Sequence, residues 1–287
     1  MHVMTTRKVR LGRLSLLIAL TGLALFMMLP IVFLFNHAFK PLNELFLFPP
    51  RFLVSNPTAQ NFERLWNATS DDLVPFTRYL FNSVIVVSTT LVAVVVVSSM
   101  AAYALAKFKF HFRSVIMSLI YVSLMFAAET VQIPRYLIIS GIGVSDTYFA
   151  HILPFIAAPV SVFLLIQFIG QIPDSLLEAA KIDGATEWTM FMRIVVPLAA
   201  PAISTVAILT FQAVWGDTEA STLYIHEETL KTLPYYIQTL SQATQNAVSG
   251  QGMIAAAGLM MFVPNLIVFL LFQNRVMETM VNSGIKE

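Results

Sequence analysis

Six times along the chain, a continuous apolar run without acidic or basic side chains comes near the ~20 residues a helix needs to cross a bilayer core. The runs are Leu14–Phe35, Leu80–Ala106, one starting at Val115, Phe149–Ile169, Leu198–Trp215 and Ile254–Phe272. Membrane strands would alternate with period two, and these runs do not. The third run is imperfect. It is apolar to Ala128, then meets Glu129, Gln132, Pro134 and Arg135 before Leu137–Ile139. This pattern predicts a span with a polar, proline-bent outer half. The expected fold class is therefore an all-α membrane protein with six transmembrane helices.

Composition agrees. Only 11% of the 287 residues are charged, against about 25% in soluble domains. So few charges cannot coat a water-facing surface, and the lipid bilayer must solvate much of the chain. A net charge of +1 provides no global field for nucleic acid. The absence of cysteine excludes disulfides, thiolate metal sites and cysteine nucleophiles. The first run follows Arg7, Lys8, Arg10 and Arg13, as a signal peptide would. Its apolar stretch is too long for a signal h-region and no small-x-small site follows, so it reads as a mature helix.

Lysine and arginine set the orientation. Eleven of the 17 fall in the N-terminal segment, the 107–114 loop, the 170–197 loop and the C-terminal tail. The other six (Lys40, Arg51, Arg64, Arg78, Arg135 and Lys231) spread over longer segments. Both termini are therefore expected in the cytoplasm, and segments 36–79 and 216–253 outside. The predicted organisation is a cytoplasmic N-terminus at 1–13, a membrane domain at 14–272 and a cytoplasmic tail at 273–287.

Several chemistries lack their residues. No glycine is followed by lysine, so there is no P-loop. His226-Glu227-Glu228 lacks the second histidine of a zinc-protease helix, and no metal site is expected. There is no G-x-S-x-G nucleophile turn. The Lys107–Arg113 segment interleaves cations and aromatics, which at the cytoplasmic end of a span reads as headgroup anchoring rather than a nucleic-acid patch.

The 170–197 loop is the informative one. Pro173 suits a first helical turn, Ser175 with Glu178 a capping box, and Gly184 the left-handed position after a helix end. Thr186 followed by Glu187 suits a second helix start. At 100° per residue Asp174, Glu178 and Lys181 share one face, and Leu176, Ala179, Ala180 and Asp183 another. A surface-lying amphipathic connector would have fewer acids and bulkier apolar residues. A knob that seats in a cytoplasmic partner explains both features.

Glu178-Ala179-Ala180, followed at family spacing by Gly184, Ile194 and Pro197, resembles the EAA loop of ATP-binding-cassette (ABC) importer permeases. Asn82-Ser83 opening a span that ends Ala101-Ala102-Tyr103-Ala104-Leu105-Ala106-Lys107-Phe108 looks like that family's sugar branch. Pro49-Pro50, Asn56-Pro57-Thr58 and Asn61-Phe62 look like the outer loop of its maltose-type members, and the Ser283-Gly284-Ile285-Lys286 tail also matches; the chain is similar to the maltose-type second permease. Three positions depart from the branch: Arg135 in Ile133-Pro134-Arg135-Tyr136, Gly216 in Trp215-Gly216-Asp217-Thr218-Glu219, and Val196, a conservative change where leucine is usual. The first two sit near the implied substrate path and leave the cargo open. A non-sugar cargo, or an autonomous ion-coupled carrier using Glu129, are the competing readings.

The resemblance implies a non-enzymatic permease subunit of a carbohydrate importer in a bacterial or archaeal cell membrane. It implies a dimer of ABC ATPases that bind ATP and Mg, a second and distinct permease chain, and an extracytoplasmic solute-binding protein. No cofactor is expected in this chain. The coupling residues implied are Glu178, Ala179, Ala180, Asp183 and Gly184. For the substrate path the polar span residues Glu129, Gln132, Gln212, Trp215 and Asn265 are candidates, with Gln167 a further polar one. A mid-helix carboxylate costs about 2.5–3.5 kcal/mol on insertion scales. Glu129 should therefore face a cavity, pair with Arg135 or sit protonated. The 216–253 segment reads as an ordinary solvated loop, and by the resemblance as the surface that meets the binding protein.

Overall fold

A computed structural model describes residues 3–49, 51–68, 74–244 and 248–284. The elements in chain order are α1 (Val3–Ala38), α2 (Leu42–Leu45), α3 (Gln60–Ala68), α4 (Phe76–Lys107), α5 (Arg113–Ser123), α6 (Gln132–Gly141), α7 (Tyr148–Ile156) and α8 (Pro159–Gly170). They continue as α9 (Asp174–Ile182), α10 (Glu187–Met190), α11 (Val196–Leu198), α12 (Ala200–Trp215), α13 (Glu219–Leu223), α14 (Leu233–Thr244) and α15 (Val248–Gly284). Two 3-10 turns, Ala128–Val131 and Glu228–Leu230, and a π-helical turn, Phe191–Val195, complete them. Among the described residues there is no strand. The side chains of Arg7, Lys8, Arg10, Arg275 and Lys286, which weigh in the charge count, lie outside the described residues, as does the 285–287 tail end.

Three helices are each long and apolar enough to cross a bilayer: Arg13–Ala38 within α1, α4, and Gly250–Gln273 within α15. The count reaches five if each of two bent pairs is one span. The first pair is α7 and α8, bent by 43°. Ala158 precedes Pro159 and takes φ −107°, ψ 77°, because a residue before proline is pushed out of the helical region. The second pair bends by 78° at Ala199. Pro197 and Pro201 flank that point and remove two amide donors one turn apart, and the π-helical turn immediately before takes up the misfit.

The third run differs from its expected single bent span. It forms only the 11 residues of α5, which at 1.5 Å per residue cover about 16 Å, half a bilayer core. The helix stops at Ser123, before the polar residues begin, and resumes at Gln132 with Pro134 in its first turn, where proline costs no hydrogen bond. The N-terminal segment also differs, because α1 begins at Val3 rather than near residue 14.

Two compact units make up the chain. In the first, Met1–Asp72 with Thr239–Met260, Asn61 of α3 is wholly buried and donates to the carbonyls of Ala38 (3.0 Å) and Lys40 (2.8 Å). It thus caps the end of α1, whose last carbonyls have no partner within the helix. Gly252 makes room for it, since a Cβ there would lie 2.5 Å from the Asn61 carboxamide. The Glu44 carboxylate accepts from the Ser55 and Asn56 amides at 3.0 and 2.9 Å. Those amides, Ser55 first, hold its pKa below the ordinary carboxylate value. Such bonds give the 36–68 segment a fixed shape where a free loop would be the simplest expectation.

The second unit, Leu73–Gln238 with Met261–Glu287, is built on α4. Thr90, Val94, Ser98 and Ala102 recur at intervals of four and are all fully buried. A stripe of small residues lets helix backbones approach closely, the usual way helices pack in lipid. Leu165, Ile166 and Ile169 of α8, and Ala202 and Val206 of α12, join Val94 and Ala102 in one core, with Phe191 and Val195 from the π-helical turn.

The N-terminal end of α4 carries a polar cluster. Buried Asn82 donates to the carbonyls of Thr229 (2.9 Å) and Lys231 (2.8 Å) and accepts from the Tyr148 hydroxyl (2.7 Å). Arg78 donates to Thr229 (2.9 Å), and Ser83 accepts from the Leu233 amide (2.8 Å). Asn82→Ala would strip a partner from the buried Lys231 carbonyl and from the half-buried Tyr148 hydroxyl, each worth about 1–3 kcal/mol when orphaned, while Arg78 still donates to Thr229. We expect the purified variant to melt several degrees lower in detergent, roughly 5 °C. An unchanged melting temperature would show that the 229–233 stretch is held by other contacts.

Candidate functional site

The 170–197 loop folds into the two short helices expected of it. Helix α9 ends in a Schellman arrangement. The Gly184 amide donates to Lys181 (3.1 Å) and the Ala185 amide to Ala180 (2.9 Å). Gly184 has φ +83°, a conformation that costs a residue with a Cβ about 1–2 kcal/mol. Thr186 caps α10, its hydroxyl accepting from the Thr189 amide at 3.2 Å. The capping box expected at Ser175 and Glu178 does not form. The helix starts two residues earlier, at Asp174, so Pro173 takes the cap position and Ser175 already lies inside the first turn.

No residue of α9 is buried. Its polar face turns toward α4: Asp174, Glu178 and Lys181 line a cleft of about 290 Å³ with Tyr103, Lys107 and Glu187. The other face is uncovered. Leu176 is 47% exposed and Ile182, at the end of the helix, 86%. Ala179, Asp183 and Gly184 are also exposed, and Ala180 is half-buried. Trp188 and Met192 add further exposed apolar surface. Glu178 takes no part in capping its own helix. Lys107, expected as a headgroup anchor, instead has a side chain only 8% exposed and lies 2.7 Å from Asp174. That ammonium, by its hydrogen bond and its charge, holds the Asp174 carboxyl below the ordinary range.

The 216–253 segment is not a simple solvated loop. Ser221, Tyr224, Ile225 and Leu233 are buried. Asp146, at φ +56°, accepts the His226 amide and the Glu227 amide (3.0 Å) on one carboxylate oxygen. These amides, Glu227 first, lower its pKa. Lys231 donates to the Glu228 carboxylate and to the Tyr235 hydroxyl (2.9 Å). Burial pulls its pKa down, but these two partners outweigh burial and the net direction is up. Sequence reading missed this clamp. Its one legible signal was Arg78, Asn82 and Ser83 sharing the first turns of an apolar span, where polar groups are costly unless paired.

The substrate-path candidates fall into separate places. Glu129 is exposed on the Ala128–Val131 turn, and Gln132 begins α6 half-buried. The nearest carboxylate to Arg135 is Glu219, at 3.4 Å, so the possible Glu129–Arg135 pair is replaced by one joining α6 to α13. Gln212 is exposed on α12. Trp215 is only 4% exposed, stacks on Phe211 and donates its indole N–H to the Met261 carbonyl at 3.0 Å. Asn265 reaches the same carbonyl at 3.3 Å. A cavity of about 590 Å³ lies between α6, α7 and α8, and Arg135 is its one charged lining residue. None of the five candidates lines it.

Residues 94–275 match the description "binding-protein-dependent transport system inner membrane component". The chain belongs to this family. The matched stretch contains the short-helix loop and the core around α4, α8 and α12. The permease is 31% identical over 259 residues to a putative ABC transporter permease protein, ORF2, of Caldicellulosiruptor sp., covering 90% of this chain and 91% of that protein. It is 30% identical over 261 residues to the trehalose transport system permease protein SugB of Mycobacterium tuberculosis, covering 90% and 92%. Its fold matches a chain in the crystal structure of a bacterial ABC transporter involved in import of the acidic polysaccharide alginate. There the TM-score is 0.80 at 22% identity, over 93% of this chain and 97% of that one.

Proline cannot adopt the positive φ of Gly184, since its ring fixes φ near −65°. In the permease, Gly184→Pro is expected to leave membrane insertion intact and abolish solute uptake by cells. Normal uptake would refute a coupling role for this loop.

Proposed function

We propose that the chain is a transmembrane permease subunit of an ATP-driven importer for a sugar or oligosaccharide. It works without catalysing a reaction itself. A separate ATPase dimer binds ATP and Mg on the cytoplasmic side, a second and distinct permease chain completes the pathway, and a solute-binding protein delivers cargo outside. The chain crosses the membrane six times with both termini in the cytoplasm. Residues 1–13 and 273–287 are the cytoplasmic ends of a 14–272 membrane domain.

The observation that carries the coupling reading is α9. It is a capped helix of nine residues with no buried residue and two large aliphatic side chains exposed. An isolated helix this short is unstable in water, so its slim face of Ala179, Ala180, Asp183 and Gly184 fits a partner that buries it. We assign that partner as the ATPase, with Glu178 at the rim of the contact. Closure of the ATPases on ATP would draw the coupling helices together and rock the bundles between inward-open and outward-open states. Relatives named for trehalose and alginate import support a carbohydrate cargo.

The test is purification of the tagged chain from native membranes in mild detergent, partners identified by mass, followed by reconstitution. We expect an ATPase, a second permease and a binding protein, and sugar uptake that requires ATP. A folded chain recovered alone that moves solute without ATP would defeat the proposal. For the path, Glu129→Gln is expected to change the uptake KM with the complex still assembled, and unchanged kinetics would remove Glu129 from it.

A further inference from the structure

The cytoplasmic end of α4 holds the loop at two points, one on each side of Gly184. Lys107 donates to the Ile172 carbonyl and to the Asp174 carboxylate, at the entry to α9. One turn earlier, the Tyr103 hydroxyl donates to Glu187, at the start of α10, at 3.1 Å. Lys181 approaches the same carboxylate from α9 at 3.4 Å. Tyr103 is buried and packs against Phe191 and Phe108. Elsewhere α9 contributes little to the core; Leu177 is its one side chain packed against it.

We propose that Lys107 and Tyr103 are the positioning residues through which α9 drives the membrane domain. The proposal rests on the reading of α9 as the coupling helix. The chain ties α9 to the core at Ile172 before it and at Phe191 after α10, and the bonds from Lys107 and Tyr103 add direct, oriented links from the loop to α4. The Lys107 contacts are charge-assisted and short, and the Lys107 side chain itself is only 8% exposed, although the Asp174 carboxylate it meets faces water. Two attachment points four residues apart on α4 also fix the angle of the loop, which a single point would leave free to swivel. Pulled by its partner, α9 would move α4 with it. Cut from Lys107, it would follow the ATPase and leave α4 behind.

The test uses the complete reconstituted complex and reads ATP hydrolysed per solute imported. In Lys107→Met we expect the complex to assemble with its ATPase bound and hydrolysis to continue. Uptake should fall so that the ratio rises about tenfold, within the range typical of coupling between sites. Lys107→Arg, which can still reach both acceptors, should restore the ratio to near the original. Tyr103→Phe should raise it less, since one of two points remains. A merely structural defect lowers hydrolysis and uptake together and leaves the ratio fixed, and that result in Lys107→Met overturns the proposal. Failure of Lys107→Met to assemble, with Lys107→Arg no better, also overturns it. If Gly184→Pro transports normally, the coupling reading itself fails; if Gly184→Pro is dead and Lys107→Met keeps the original ratio, only the attachment is wrong.

Discussion

Hydrocarbon offers no partner for a backbone amide or carbonyl, so every break in a membrane helix must be closed by the protein itself. The described structure answers that demand mostly at the two ends of α4. At its N-terminal end Arg78, Asn82 and Ser83 supply bonds to an irregular stretch, 229–233, that would otherwise carry bare carbonyls and amides. At its C-terminal end Lys107 takes the Ile172 carbonyl where the chain leaves α8, and Arg113 takes the Leu105 carbonyl of the last helical turn at 2.7 Å. The middle of α4 can then be small and apolar, and α8 and α12 pack on it closely.

Prolines decide where the other spans bend. Pro159, Pro197 and Pro201 sit at or beside the two largest breaks, and in each case the missing amide or the steric conflict with the preceding residue accounts for the local geometry. The bend before α12 sets the 187–198 helical stretch at 78° to the rest of its span.

Local chemistry made the loop readable in advance. Gly184 and Thr186 take the positions that a left-handed cap and a hydroxyl cap require, and these depend on neighbours within four residues. Ser175 failed as a cap because Asp174 could enter the helix and meet Lys107, a partner 67 positions away that local spacing cannot reveal. The same limit hid the Asp146 clamp, the Arg135–Glu219 pair and the burial of Trp215, all of which join residues more than 40 positions apart. Apolar runs announced α4 and the central part of α15 directly. They misjudged the third run because apolarity does not fix helix length, and α5 ended while the sequence was still greasy.

Helix α4 is 32 residues long, about 48 Å from end to end, and it contains no proline or glycine to absorb bending. Mechanically it is a lever with a handle at each end. A tilt of about 10° around its middle would swing Lys107 by roughly 4 Å and Asn82 by roughly 2.5 Å in the opposite direction, by the helix rise alone. The clamp on 229–233 and the attachment to α9 would then shift in step, with no hinge between them to lose the motion.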